Sequence, residues 1–172
     1  MKILVINGSP RPSGKIAQMM SMAGEIAGDD TEVLDVYRMD IKPCVGCMAC
    51  RTTGVCSLKP DDAHRAAEMI RRADLIVVGT PTYWGNMSSG IPRACLKGKR
   101  GIIVATCTTP FPFNRLFGQS AGAVRAVKEI LRTGGLRVSS VQIGGTKEMK
   151  EIPGRHIDRL TRLILRARRA GR

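Results

Sequence analysis

Five short apolar runs, each followed by a segment of helical character, most constrain what this 172-residue chain can fold into. The clearest runs are residues 75–78 and 101–105, which consist almost entirely of Leu, Ile, Val and Ala. Strands that are apolar without interruption are typical of parallel sheets buried on both faces. The pattern therefore predicts an α/β fold, a doubly wound five-stranded parallel sheet with helices on both faces. The predicted strands are 2–6, 31–37, 75–78, 101–105 and 136–143, and the predicted helices are 16–27, 60–72, 119–132 and 153–170.

The length and the unbroken strand–helix alternation predict one domain over residues 1–172, with a compact cysteine loop at 43–58. In doubly wound sheets, ligands bind beyond the carboxyl ends of the strands, where the winding reverses. The loops that follow the first, third and fourth strands are therefore the predicted binding site.

The formal net charge of +14 raises the question of a nucleic-acid partner. Seven arginines lie within residues 155–172, so much of the charge is concentrated in the closing helix and its tail. We interpret this as a solvated helix face, and we expect no nucleic-acid partner. A basic chain also favours anionic cofactors and substrates.

The chain is expected to lie in the cytoplasm, without a membrane partner. No apolar run is long enough to cross a bilayer, and a strand pattern that begins at Lys2 leaves no room for a signal peptide. Six cysteines in an α/β chain of this kind favour metal or redox use over a disulfide framework.

Aromatic side chains are concentrated in two of the predicted site loops. The chain has six aromatic residues, and five of them are Tyr83, Trp84, Phe111, Phe113 and Phe117. Aromatic rings at the edge of a sheet suit a flat conjugated ligand. The alternative is that they pack against helices or a partner subunit.

The loop after the first strand has the residues of an anion site at a helix amino terminus. Ser9, Arg11, Ser13 and Lys15 surround the first amide groups of the predicted helix. Ile16 stands where a nucleotide-binding P-loop requires Ser or Thr, and G-x-G-x-x-G is absent, so a phosphate monoester held without Mg²⁺ fits better. An ordinary capped turn is the alternative. Phosphate here and a stacked ring at the third and fourth loops together indicate flavin mononucleotide, FMN.

Four cysteines fall within thirteen residues in the spacing C-x2-C-x2-C-x5-C, at Cys44, Cys47, Cys50 and Cys56. Thiolates at this spacing can turn onto one soft metal centre. Gly46 and Gly54 would allow the backbone to bend around it. Three interpretations of the motif remain: it binds an iron–sulfur cluster, it binds zinc, or its thiols hold no metal. The other two cysteines, Cys95 and Cys107, are expected to be small buried side chains.

Four segments together resemble the NAD(P)H-dependent FMN reductase-like branch of the flavodoxin-like superfamily, and within it the iron–sulfur flavoproteins. They are Asn-Gly-Ser-Pro-Arg at 7–11, the cysteine motif, Gly-Thr-Pro-Thr-Tyr-Trp-Gly-Asn at 79–86, and residues 106–119. The resemblance implies the strand order 2-1-3-4-5. It also implies FMN-binding roles for Ser9, Arg11, Ser13, Gly14 and Lys15 at the phosphate, for Pro81, Thr82, Tyr83, Trp84, Gly85 and Asn86 around the ring, and for Thr106 and Cys107 on its far side.

The same resemblance implies a [4Fe–4S] cluster on the four motif cysteines and NAD(P)H as the electron donor. The acceptor would be a small molecule such as a quinone, a free flavin or a ferric complex. The alternative is an electron carrier fed by a redox protein such as ferredoxin. No residue is expected to act as a catalytic acid or nucleophile, and His64 and His156 are expected on helix surfaces. A homo-oligomer is expected, although the short segment 90–100 departs from the family's usual subunit-contacting segment.

Overall fold

The computed structural model describes residues 1–82 and 98–170, apart from the side chain of Arg115. A short 3₁₀ helix, Val36–Arg38, follows the second strand. The remaining elements, in chain order, are β1 Ile3–Asn7, α1 Lys15–Ala27, β2 Thr31–Asp35, α2 Ala49–Thr53, α3 Asp62–Arg72, β3 Leu75–Pro81, β4 Arg100–Thr106, α4 Phe113–Leu116, α5 Gln119–Thr133, β5 Arg137–Ile143 and α6 Gly154–Arg169.

The five strands form one parallel sheet in the order β2-β1-β3-β4-β5, which confirms the predicted doubly wound topology. Successive side chains of a strand point to opposite faces of the sheet. Ile3 and Val5 of β1 therefore pack in a cluster with α1 and α6, whereas Leu4 and Ile6 pack in a second cluster with α3 and α5. Helices thus cover both faces, as the apolar strand pattern predicts.

The edge strand β2 differs from its prediction. It ends at Asp35, and residues 36–38 turn into the 3₁₀ helix instead of extending the strand to residue 37. Val33 on this strand is 60% exposed. An edge strand pairs on one side only, so its apolar residues need not be buried, and a short edge strand limits unwanted pairing with other chains.

The carboxyl ends of the central strands meet at one edge of the sheet. The register pairs Asn7 with Gly79, Pro81 with Thr106, and Thr106 with Ile143. The strands β3 and β4 both extend beyond their predicted ends, and the N–H of Thr82 donates to the carbonyl of Thr106 at 2.9 Å. The loops that follow β1, β4 and β5 are thereby brought close to Thr82, the described residue that follows β3. None of the helices within residues 1–82 and 98–170 is long and apolar enough to cross a membrane.

Candidate flavin site and cysteine loop

A cavity of about 370 Å³ lies at the carboxyl edge of the sheet, where the loops after β1, β4 and β5 meet the end of β3. All nine described residues that the sequence predicts for FMN line it, namely Ser9, Arg11, Ser13, Gly14, Lys15, Pro81, Thr82, Thr106 and Cys107. Tyr83, Trp84, Gly85 and Asn86 lie outside the described residues. The part of the cavity that the described residues form therefore lies at the loops that the sequence predicts.

The loop between β1 and α1 is tightly folded around Ser9. The Ser9 hydroxyl donates to the carbonyl of Arg11 at 2.9 Å and accepts the Arg11 N–H at 3.3 Å, and the Gly14 N–H donates to the same carbonyl at 3.0 Å. Gly14 is the N-cap of α1, and no side chain among the described residues caps this helix. The ordinary side-chain-capped turn is therefore not what forms here. Uncapped amides at a helix amino terminus suit an anion, and this is where the sequence predicts the FMN phosphate.

The wall formed by β3 and β4 carries a polar atom that lacks a partner. The buried Thr82 Oγ1 has no hydrogen bond among the described residues. Buried hydroxyls are usually satisfied, so the unpartnered Oγ1 leaves one hydrogen bond open at a residue that lines the cavity. The uncapped α1 terminus and the open hydrogen bond of Thr82 are compatible with a ligand that carries a phosphate and further polar atoms.

Two of the predicted FMN-binding residues, Lys15 and Cys107, also make contacts within the protein. The Lys15 ammonium donates to the carbonyl of Lys150 at 2.6 Å and to Gln18 Oε1 at 3.3 Å, so it also ties α1 to the loop after β5. Cys107 is 3% exposed, as expected for a small buried side chain, and its Sγ lies 3.5 Å from the carbonyl of Thr109.

The loop after β5 contributes residues that sequence reasoning missed. Thr146 and Lys147 line the cavity, and the Thr146 hydroxyl donates to the carbonyl of Cys107 at 3.0 Å. The signal in the sequence was the Gly144–Gly145 pair at the end of the fifth apolar run. Gly145 has φ of +72°, and a Cβ on Gly144 would collide with the side chain of Asn114, so both positions require glycine.

The phenylalanines of the fourth loop do not line the described cavity. Phe111, Phe113 and Phe117 are exposed by 72%, 51% and 69%, and the last two rings stack on each other with centroids 6.4 Å apart. The expectation that these rings contact the flat ligand is therefore not supported by the described cavity.

The four motif cysteines lie on the surface in the loop between β2 and α3. All four are free and exposed, and no three His, Cys, Asp or Glu side chains within the described ranges are grouped closely enough to hold a metal. The predicted bends are present, since Gly46 and Gly54 have φ of +69° and +73°, and Met48 also has a positive φ, of +63°. Four thiols on one short loop form a donor set that fits a soft metal centre.

One of these four thiols, that of Cys47, has a lowered pKa. The hydroxyl of Ser57 lies 3.0 Å from Cys47 Sγ, and this hydrogen bond is the main reason that the pKa of the Cys47 thiol is below its usual value. A lowered pKa increases the fraction of thiolate at neutral pH, and the thiolate is the form that binds metal.

Two aspartates close the base of the cysteine loop. The N–H of Lys42 donates to Asp61 Oδ2 at 2.9 Å, and the N–H of Asp40 donates to Asp62 Oδ2 at 2.8 Å. Asp61 also caps α3, because its Oδ1 accepts the N–H of Ala63 at 3.0 Å, and His64 Nδ1 lies 3.1 Å from the Asp61 N–H. His64 is thus part of a helix cap, which agrees with its expected place on a helix.

Replacing Asp61 with alanine should lower the Tm by roughly 2–4 °C at neutral pH, because it removes a helix cap and the bond to Lys42. The Lys42 N–H, followed by His64, lowers the pKa of Asp61 from 3.8. The stabilisation is therefore present above pH 3.8 and is lost as the pH falls through the lower pKa of the folded protein. Thermal melts of the wild type and Asp61→Ala should converge in acid.

The matched control for this prediction is Asp29→Ala, because Asp29 is exposed and its carboxylate has no hydrogen bond or ion pair within the described ranges. Its Tm should follow the wild type at every pH. A difference between wild type and Asp61→Ala that stayed constant down to strongly acidic pH would show that the charge of Asp61 has no role.

The comparisons with known proteins agree with this architecture. An NADH:FMN oxidoreductase in its apo form superposes with a TM-score of 0.67 at 19% identity, over 98% of this chain and 89% of that one. A flavodoxin from the domain Archaea superposes with a TM-score of 0.59 at 16% identity, over 97% and 96%. Likeness at this identity shows the fold, which is flavodoxin-like.

The sequence comparisons give the family. Residues 1–108 match the family described as NADPH-dependent FMN reductase, so the chain belongs to that family. An iron–sulfur flavoprotein of Archaeoglobus fulgidus is 41% identical over 90 residues, which make up 51% of this chain and 44% of the relative. The chain spans about half the length of the curated relatives it matches. These findings confirm the predicted family resemblance.

Proposed function

We propose that the protein is an FMN-dependent oxidoreductase that moves electrons from NAD(P)H to a small acceptor such as a quinone, a free flavin or a ferric complex. The observation that carries the proposal is the cavity at the carboxyl edge, which combines an uncapped α1 terminus with the unpartnered Thr82 hydroxyl. Membership of the NADPH-dependent FMN reductase family supports the same cofactor and donor.

Different residues of the cavity would bind the phosphate and the ring of FMN. The first amides of α1, with the hydroxyl of Ser13, would hold the phosphate, and the Ser9 hydroxyl, which donates to the carbonyl of Arg11, would keep the loop in shape. Thr82 and Thr106, at the ends of adjacent strands, would form the wall for the ring and exclude water from it, and Thr82 Oγ1 would bind one of its polar atoms. FMN supplies the electron-transfer chemistry when it is bound, and the protein supplies its position and its electrostatic surroundings.

The proposal extends to a [4Fe–4S] cluster held by Cys44, Cys47, Cys50 and Cys56. The donor set of four thiols and the loop base fixed by Asp61 and Asp62 support it, and the relatives named as iron–sulfur flavoproteins support it independently. Such a cluster supplies one-electron transfer when it is bound.

A second function is an electron carrier that receives electrons from a redox protein, without oxidising NAD(P)H. The exposed position of the cysteine loop favours it, because a docking protein could approach the four thiols directly. The names of the iron–sulfur flavoprotein relatives describe cofactors and specify no electron donor, so they are equally compatible with this function.

Anaerobic addition of NADH or NADPH separates the two functions. If the protein is an oxidoreductase, the flavin absorbance should bleach within the seconds needed for manual mixing. Free FMN at the same concentration should not react in that time. Bleaching by reduced ferredoxin alone would establish the carrier instead. Protein that retains no FMN after addition of the cofactor and gel filtration would contradict both functions.

A further inference from the structure

Three arginines surround a second cavity, far from the flavin site. Arg100 and Arg137 are register partners at the amino ends of β4 and β5, and Arg166 lies above them near the end of α6. With Ser139 they line a cavity of about 230 Å³, here called the arginine groove. No carboxylate is among the described residues that line it.

The alternation of side chains explains why these groups share one face. On β4, Ile102 and Val104 point into the core cluster that includes α6, so Arg100, two residues before Ile102, points to the same face. On β5, Val141 belongs to that cluster, which places Ser139 and Arg137 beneath α6 as well. The sheet and the helix thus converge on the groove from two sides.

The positive charges of the arginine groove are not balanced within the described parts of the chain. Ion pairs form at other arginines, namely Arg38, Arg65, Arg71 and Arg72. The guanidinium groups of Arg100, Arg137 and Arg166 make no hydrogen bond or ion pair with any described residue. Like charges at opposite positions of neighbouring strands repel each other, and an anion bound between them would relieve that repulsion.

The nearby carboxylates are already engaged. Arg100 also borders a neighbouring cavity that contains Asp30 and Asp74. Asp74 Oδ2 accepts the N–H of Lys2 at 2.9 Å, and Asp30 pairs with the amino terminus at 3.6 Å. The carboxylates of this neighbouring cavity therefore have partners other than the three arginines of the groove.

We propose that the arginine groove binds a phosphate group, either inorganic phosphate or the phosphate of a small phosphorylated molecule. Guanidinium groups bind phosphate oxygens in bidentate fashion, and the Ser139 hydroxyl adds a donor. The groove lies at the amino ends of the strands, whereas the flavin cavity lies at their carboxyl ends. A seven-residue strand such as β4 separates them, which is roughly 20 Å. This site is independent of the flavin site.

Calorimetric titration of the FMN-loaded protein with inorganic phosphate, in a phosphate-free buffer of low ionic strength, tests the proposal. If FMN binds as proposed, loading fills the phosphate position at α1, and only the arginine groove is left to be titrated. One saturable site is expected, and Arg137→Gln and Arg166→Gln should each weaken it by about tenfold. Glycerol 3-phosphate, titrated in parallel, separates the two sources: tighter binding than inorganic phosphate indicates an organic phosphate, and equal binding indicates free phosphate.

The matched controls are Arg159→Gln and Arg162→Gln, which remove the same charge from exposed positions of α6 outside the groove. They should change the phosphate affinity by less than about twofold. Arg137→Gln should melt no lower than the wild type without phosphate, because it relieves repulsion, and this checks its folding.

Three results would overturn the proposal. The first is the absence of saturable binding to the FMN-loaded protein. The second is an equal loss of affinity in the control variants. The third is tight binding of a short DNA duplex that all four variants weaken alike, which would make the basic surface a nucleic-acid contact.

Discussion

Replacing Gly14 with alanine is expected to weaken FMN binding by roughly one to two orders of magnitude, the equivalent of losing one hydrogen bond to a charged group. The backbone of Gly14, at φ of −66° and ψ of 156°, is one that alanine adopts freely, so the effect is steric. A Cβ at this position would lie 2.9 Å from Ser9 Oγ and 3.1 Å from the carbonyl of Arg11. These two atoms hold the loop together, so relief of the contact must displace the loop that faces the phosphate.

Gly24→Ala is the matched control, because Gly24 lies on the same helix. A Cβ there would meet only Val33 Cγ2, at 3.9 Å, an ordinary contact. Alanine favours a helix over glycine by about 1 kcal/mol, so this variant should melt slightly higher than the wild type. Its FMN affinity should be unchanged.

Fluorescence titration of flavin-free protein with FMN gives both dissociation constants, since flavin emission changes on binding. Equal affinities for Gly14→Ala and Gly24→Ala would mean that the loop between β1 and α1 does not bind the phosphate.

The sheet was predictable because its central strands are buried on both faces. Residues 75–78 and 101–105 carry almost no polar side chains, and this pattern leaves a parallel sheet as the simplest solution. The carboxyl-edge location of the site follows from the winding of such a sheet. Most of the described cavity could therefore be derived from the strand ends.

Other features depend on interactions that no local pattern contains. The helices α2 and α4 have five and four residues, too few for periodicity or propensity to identify. Thr146 reaches the cavity only because β5 pairs with β4, which places the loop after Ile143 beside Cys107. The two short helices and the position of Thr146 are therefore determined by tertiary contacts.

The fourth loop shows a different limit of sequence reasoning. The prediction located Phe111, Phe113 and Phe117 at the correct edge of the sheet, but it could not tell which side of the loop the rings occupy. In the structure two of them stack on each other, and all three are exposed. Position along the chain identifies a loop, whereas side-chain direction depends on the turn that the loop makes.

Replacing any one of Cys44, Cys47, Cys50 or Cys56 with serine is expected to remove most of the protein-bound iron and to leave FMN binding intact. A cubane cluster needs all four thiolates, so one substitution disrupts it. None of the four cysteines is among the residues that line the described flavin cavity, so the flavin should remain. Loss of the iron–sulfur cluster should therefore not cause loss of FMN.

The measurement is the iron content and the visible spectrum of anaerobically purified protein. The wild type should show flavin bands and a broad iron–sulfur shoulder, and each serine variant should show flavin bands alone. Cys95→Ser, outside the motif, is the control and should retain its iron. Variants that kept iron would place the cluster elsewhere, and wild-type protein with zinc in place of iron would identify the cysteine loop as a zinc site. Wild-type protein with flavin and no metal would leave the four cysteines as free thiols and the flavin proposal unchanged.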